Sequence, residues 1–127
     1  MAEVVLDSSA LLAFLWEETG TDVVADCIGD AIISAVNFDE TIGKLVSRGS
    51  SPETARSVVG IARPDIVDFD RELAEQAGIL VSKTRRFGLS LGDRACLALA
   101  QRERLPVLTA DRIWRDLDLG IEIRVIR

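Results

Sequence analysis

Three short apolar runs in this chain each give way abruptly to polar residues. "EVVLD" ends at Asp7, "AIISA" is followed within two residues by Asn37, and "LPVLTA" stops at Asp111. Such short runs read as strands, the last of them buried. Helical stretches separate them. Strands alternating with helices imply right-handed βαβ crossovers, and hence a mostly parallel sheet with helices on both faces.

The segments between the strands read as follows. Ser9 to Glu18 is a helix broken by Gly20 and Thr21, and "DVVADCIGD" is a short second one. A helix from about Asn37 to Ser47 ends at "RGSS". Ser51, Pro52 and Glu53 form a helix start, "DIVDF" is a strand, and Asp70 caps "RELAEQAGIL". "KTRRFG" reads as a basic loop, "SLGDRACLALAQRER" as a helix, "DRIWRDL" as a short helix and "IEIRVI" as a closing strand. Without a repeat, linker or low-complexity segment, residues 1–127 are expected to form a single domain.

Composition removes several function classes. With 48% hydrophobic residues the chain is expected to be globular. Its longest apolar run, Ala10 to Trp16, falls far short of the roughly 18 residues a membrane span needs. Glu3 and the lack of a basic flank argue against a signal peptide, so the expected location is cytoplasmic. Cys27 and Cys96 show no metal-ligand spacing and read as two buried free thiols. There are 0 histidines, which excludes histidine-based triads and argues against zinc. Any catalysis must therefore use carboxylates, hydroxyls, Lys or Arg. A net charge of −6 argues against gripping nucleic acid by bulk charge, though a local cation pocket with a basic rim fits within it.

Ligands of parallel α/β sheets bind beyond the carboxyl ends of the strands. Asp7 and Asp111 stand there, and Asn37 and Glu40 follow the second strand closely. Each acid also has a purely local reading. Asp7 and Asp111 suit helix N-caps. Glu40 suits a capping box with Asn37, or a pair with Lys44, and periodicity places it on the solvated face beside its competitor Asp39. Asp93 is different, because it shares a helix face with Cys96, Leu97 and Ala100. Ser90 as a cap explains it in part. Converging carboxylates repel unless a cation intervenes, and oxygen-only ligands suit a hard ion such as Mg²⁺ or Mn²⁺.

The stretches "VVLDSSALLAFL", "ISAVNFDETIGKLVSRG", "LSLGDRACLALA" and "VLTADRIW" resemble, in order and over essentially the whole chain, the four acidic motifs of PIN-domain ribonucleases. The likeness is strongest to the VapC-like toxins of bacterial type II toxin–antitoxin pairs. It implies a PIN-like three-layer α/β/α sandwich around a twisted, mostly parallel sheet of about five strands. It places the catalytic acids at Asp7, Glu40, Asp93 and Asp111, with Asp7 and Asp93 as metal ligands and Ser9 and Thr109 as supporting hydroxyls. It also decides for Glu40 over Asp39. The fourth motif departs from the family where Asp111 is followed by Arg112, Ile113 and Trp114, and Asp116 is a candidate for the missing acid.

The implied activity is that of a Mg²⁺- or Mn²⁺-dependent endoribonuclease, in which the ion activates water for in-line attack on a phosphodiester. RNA would enter over Lys83, Arg85, Arg86 and Arg112. The implied partners are a small antitoxin, docking on the exposed face of "SALLAFLW" and around Val58 and Ile61, and a second copy in a homodimer. Two other readings remain open. One is a catalytically silent scaffold of the same fold that binds a partner. The other is a receiver-like phosphoacceptor, for which Thr109 is well placed. That reading needs a Lys where only Arg124 and Arg127 stand, and a paired acid that Asp7 lacks.

Overall fold

The computed structural model describes residues 1–127. Five strands, β1 (Val4–Leu6), β2 (Ala31–Ser34), β3 (Asp65–Val67), β4 (Val107–Thr109) and β5 (Ile123–Val125), form one sheet in the order β3-β2-β1-β4-β5. All four pairings are parallel. The chain steps outward from β1 to β3, then returns to the other side of β1 for β4. The switch in strand order thus falls at β1, and its carboxyl end opens where a crevice is expected.

Seven helices connect the strands: α1 (Ser8–Leu15), α2 (Thr21–Ala25), α3 (Ala35–Ser47), α4 (Pro52–Ala62), α5 (Arg71–Ile79), α6 (Val81–Thr84) and α7 (Leu91–Glu103). Alternation along the strands divides the apolar side chains between two cores. Val4, Leu6, Ala31, Ile33 and Leu108 pack with residues of α1 to α4. Val5, Ile32 and Val107 point the other way, onto Leu73, Ala77 and Leu80, the buried stripe of α7, and Trp114. The three-layer sandwich expected from the sequence is therefore the fold, with a sheet that is wholly parallel.

Several local expectations need correction. Helix α1 ends at Leu15 rather than near Glu18, because the chain leaves helical space at Glu17 (φ 54°) and Gly20 (φ 98°). Ala10, Leu11, Leu12 and Ala13 are all buried, so the broad exposed face expected on this helix shrinks to the partly buried Phe14, Leu15 and Trp16. Helix α3 begins before Asn37. Ser34 is its cap, accepting the Val36 N–H at 3.2 Å, and Asn37 lies buried inside its first turns. The segment read as a basic loop is α6 followed by a 3₁₀ turn, Arg85–Phe87. "DRIWRDL" tightens to a 3₁₀ helix, Arg112–Asp116, that buries Trp114 completely. Of the two thiols only Cys96 is buried; Cys27 is half-exposed. The caps at Ser51 and Asp70 are as expected, accepting the N–H groups of Thr54 and Leu73.

Gly20 carries the turn between α1 and α2, and the chain end crosses directly above it. A Cβ there would lie 2.8 Å from both Cγ1 and the carbonyl oxygen of Ile126, at a positive φ that side chains rarely adopt. Gly20→Ala is expected to destabilise the protein by roughly 2–4 kcal/mol. The check is a lowered urea midpoint with an unchanged denaturant slope.

Candidate active site

Asp7 is the last residue before α1 and sits at the open end of the central strand. Its backbone N–H donates to Leu108 O at 3.0 Å, and its carbonyl accepts from Ala10 and Leu11. With the main chain held by both sheet and helix, the side chain is fixed at the carboxyl end of the sheet. It caps nothing: its carboxylate takes no N–H from α1. Instead Oδ2 accepts the hydroxyls of Ser9 at 2.6 Å and Thr109 at 2.9 Å. Both hydroxyl protons are committed there, so the 3.3 Å approach of Ser9 and Thr109 is a contact rather than a third bond. Backbone N–H groups complete the cradle, with Ala110 donating to Ser9 Oγ and Asp111 to Thr109 Oγ1.

This carboxylate is 4% exposed. Burial pushes it up to about 6, against the two hydroxyl bonds that pull it down, and the nearby charges of Asp93 and Glu40 add to the rise. The same three acids raise the thiol of Cys96, which burial already holds well above its ordinary value. The charges of Asp7, Glu40 and Asp93 are thus all felt at the buried Cys96.

Asp93 stands at the same end of the sheet because α7 leads into a strand parallel to β1, which brings its first turn to the carboxyl pole. Its local explanation also holds. Ser90 N–H donates to Asp93 Oδ2 at 3.0 Å and Asp93 N–H to Ser90 Oγ at 3.1 Å, a reciprocal capping box. The cap orients the carboxylate and leaves its other oxygen without a protein donor.

Glu40 departs from its periodicity-based placement. It is half-buried, and Oε1 accepts both Ser8 Oγ and Asn37 Nδ2 at 3.0 Å. It makes no ion pair with Lys44, and the Asn37–Glu40 capping box does not form because Ser34 caps the helix. Asp39 points to solvent. Asn37, Ser8 and Gly92, none of which stood out as site residues, all touch Glu40. The only sequence signals for them were Asn37 three positions before the acid and a glycine beside Asp93.

Asp111 is the least engaged of the four acids. It is exposed and caps the 3₁₀ helix by accepting the Ile113 N–H at 3.1 Å. Asp116 lies at the far end of that helix and is exposed. Lys83, Arg85 and Arg86 are exposed and free of ion pairs, and Arg86 stacks 4.7 Å from the Phe87 ring centre. Arg112 is drawn away to the carbonyl of Arg127.

None of the four acids has a Lys or Arg partner. All-oxygen donors with no balancing cation fit a hard divalent ion in chemistry. The fit is open rather than closed, since no three acidic or thiol groups stand close enough to hold an ion as they are.

A wholly parallel α/β sandwich with uncompensated carboxylates at its strand exits defines the general class of protein. The particular family follows from comparison with known proteins. The PIN domain family model matches residues 4–119, and the chain belongs to that family. This membership displaces the receiver-like reading. The fold is similar to a DNA-bound VapBC from Salmonella typhimurium, at 21% identity and a TM-score of 0.76 over 100% of both chains. It is also similar to a sarcin–ricin-loop-cleaving VapC toxin from Mycobacterium tuberculosis, at 15% identity and a TM-score of 0.77 over 94% of this chain and 99% of that one. A toxin–antitoxin complex from Klebsiella pneumoniae shares 16% identity and a TM-score of 0.75 over 98% of each chain. No curated protein matches the sequence.

The raised Asp7 has a thermodynamic consequence. A folded state that holds the proton more tightly than the unfolded chain is favoured at low pH. That advantage is lost as pH rises from 3.8 to about 6, and stability stays flat above this range. Without divalent ions, Asp7→Asn is expected to raise stability at pH 7.5 by up to about 3 kcal/mol and to abolish the decline between pH 4 and 6. Thermal melts of both proteins across that range, in chelator, are the check.

Proposed function

We propose that this protein is a divalent-cation-dependent endoribonuclease and the toxin of a toxin–antitoxin pair. The observation that carries the reading is that Asp7 lies buried at a strand exit of a PIN domain, feels the charges of Glu40 and Asp93, and like both of them has no protein cation to balance it.

In this reading Asp7 and Asp93 hold Mg²⁺ or Mn²⁺, with Asp111 close by as a further or water-mediated ligand. Such an ion supplies activated water and offsets the charge that builds on a phosphate in the transition state. The remaining work falls to the chain. Ser9 and Thr109 bind one Asp7 oxygen and leave the other to the site. Glu40 Oε2, which accepts no hydrogen bond, orients the attacking water. Lys83, Arg85 and Arg86 meet the RNA backbone. Phe87, now covered by Arg86, offers a face on which an unpaired base can stack.

The similarity to VapBC assemblies supports a small antitoxin as partner. On this chain the antitoxin would dock over the end of α1, at Phe14, Leu15 and Trp16, and along α4, where Ile61 is 78% exposed. A basic side chain from the partner would neutralise the acids. The toxin would act in the cytoplasm as a homodimer. No helix is long and apolar enough to cross a membrane.

The test is incubation of the purified, antitoxin-free protein with total cellular RNA, in Mg²⁺ or Mn²⁺ and in EDTA. Discrete fragments are expected with either ion. Their formation should stop in EDTA and slow at least about a hundredfold in Asp7→Asn. Intact RNA throughout, from a folded protein, would favour the catalytically silent scaffold instead.

A further inference from the structure

Asn37 is fully buried and lies 55 positions from Gly92 in sequence, yet its side chain joins the two helices that carry Glu40 and Asp93. One Nδ2 hydrogen bond goes to Glu40 Oε1 and the other to Gly92 O, each at 3.0 Å. With both donors committed, the amide cannot rotate without losing one of them. A second donor, Ser8 Oγ, reaches the same Glu40 oxygen from the start of α1. The third side of the enclosure is an absence of side chain. A Cβ at Gly92 would fall on the Glu40 carboxyl group, with both oxygens and Cδ inside contact distance. Gly92 has an ordinary helical backbone and positions Gly29, Gly43 and Gly60 have open space, so what a side chain at 92 would meet is the acid itself.

We propose that Asn37, Ser8 and Gly92 form a clamp that presses the Glu40 carboxylate against the backbone of α7 and so sets its separation from Asp93. The three are positioning residues: none reaches the reacting atoms, and each acts through Glu40. Asn37 supplies the direction of the carboxylate, Ser8 fixes which oxygen is occupied, and Gly92 provides the room. Oε2 accepts no hydrogen bond and is the oxygen that packs nearest to Gly92. The clamp deepens the nuclease reading for its effect on rate, but its existence does not depend on that reading.

The experiment is a double-mutant cycle of Gly92→Ala with Glu40→Ala in the full chain, read by thermal denaturation in chelator and by RNA cleavage in Mn²⁺. With Glu40 present, Gly92→Ala should lower the melting temperature by several degrees. With Ala at position 40 it should be neutral or stabilising, since alanine is the better helix former. Cleavage should fall at least tenfold in Gly92→Ala and in Asn37→Asp, which replaces two donors with acceptors beside a carboxylate. Neither substitution should slow Glu40→Ala further. Equal melting shifts in both backgrounds, or losses of rate that simply multiply, would overturn the clamp. A wild-type protein that cuts nothing would sink the nuclease reading, and the melting cycle alone would then decide the clamp.

Discussion

The structure is organised around a carboxylate kept out of water without a cation of its own. Asp7 belongs at once to the ladder with β4, through its N–H, and to the start of α1, through its carbonyl. Those two attachments fix its backbone, and the hydroxyls of Ser9 and Thr109 fix its carboxylate. A buried, unpaired carboxylate costs several kcal/mol in general, and here two hydroxyl groups offset only part of that cost. A protein selected for stability alone would place a neutral residue at this point. The fold tolerates the acid because the surrounding core is continuous, with a 15-residue apolar cluster on one side of the sheet and a 12-residue cluster on the other. Departures of this kind from local economy concentrate where function requires them.

Helix α7 shows how one element can serve both purposes. Its body, from Ala95 to Ala100, is wholly buried and forms much of the second core. Its first turn is half in solvent and carries Asp93. The capping box at Ser90 is what allows the change of environment within a single turn, because it satisfies the free N–H groups and uses the favourable end of the helix dipole. Capping and site chemistry are thus compatible roles for Asp93, and the same holds more loosely for Asp111, whose cap leaves it exposed.

What could be read in advance follows from the range of the interactions. The strands, the alternating architecture, and the caps at Ser51, Asp70 and Ser90 are encoded within a few residues of themselves, and each is found where expected. Asp7 and Asp111 stood out because strand exits are legible from hydrophobic runs. Glu40 was misplaced by periodicity, because a helical pattern reports on the helix and cannot register a donor from Ser8, 32 positions away. Asn37 looked like a cap for the same reason, when its second partner lies on α7. The two 3₁₀ segments differ from the expected loop and short helix because tertiary demands, such as the complete burial of Trp114, outweigh weak local preference.

The acids do not come from a single layer. Glu40 rides on the helical layer of the first core and Asp93 on that of the second, with Asp7 on the sheet between them. The spacing of the carboxylates therefore measures how the two outer layers are registered across the sheet, like marks on the two jaws of a caliper. A group bound by all three acids together would tie both outer layers to the sheet at once.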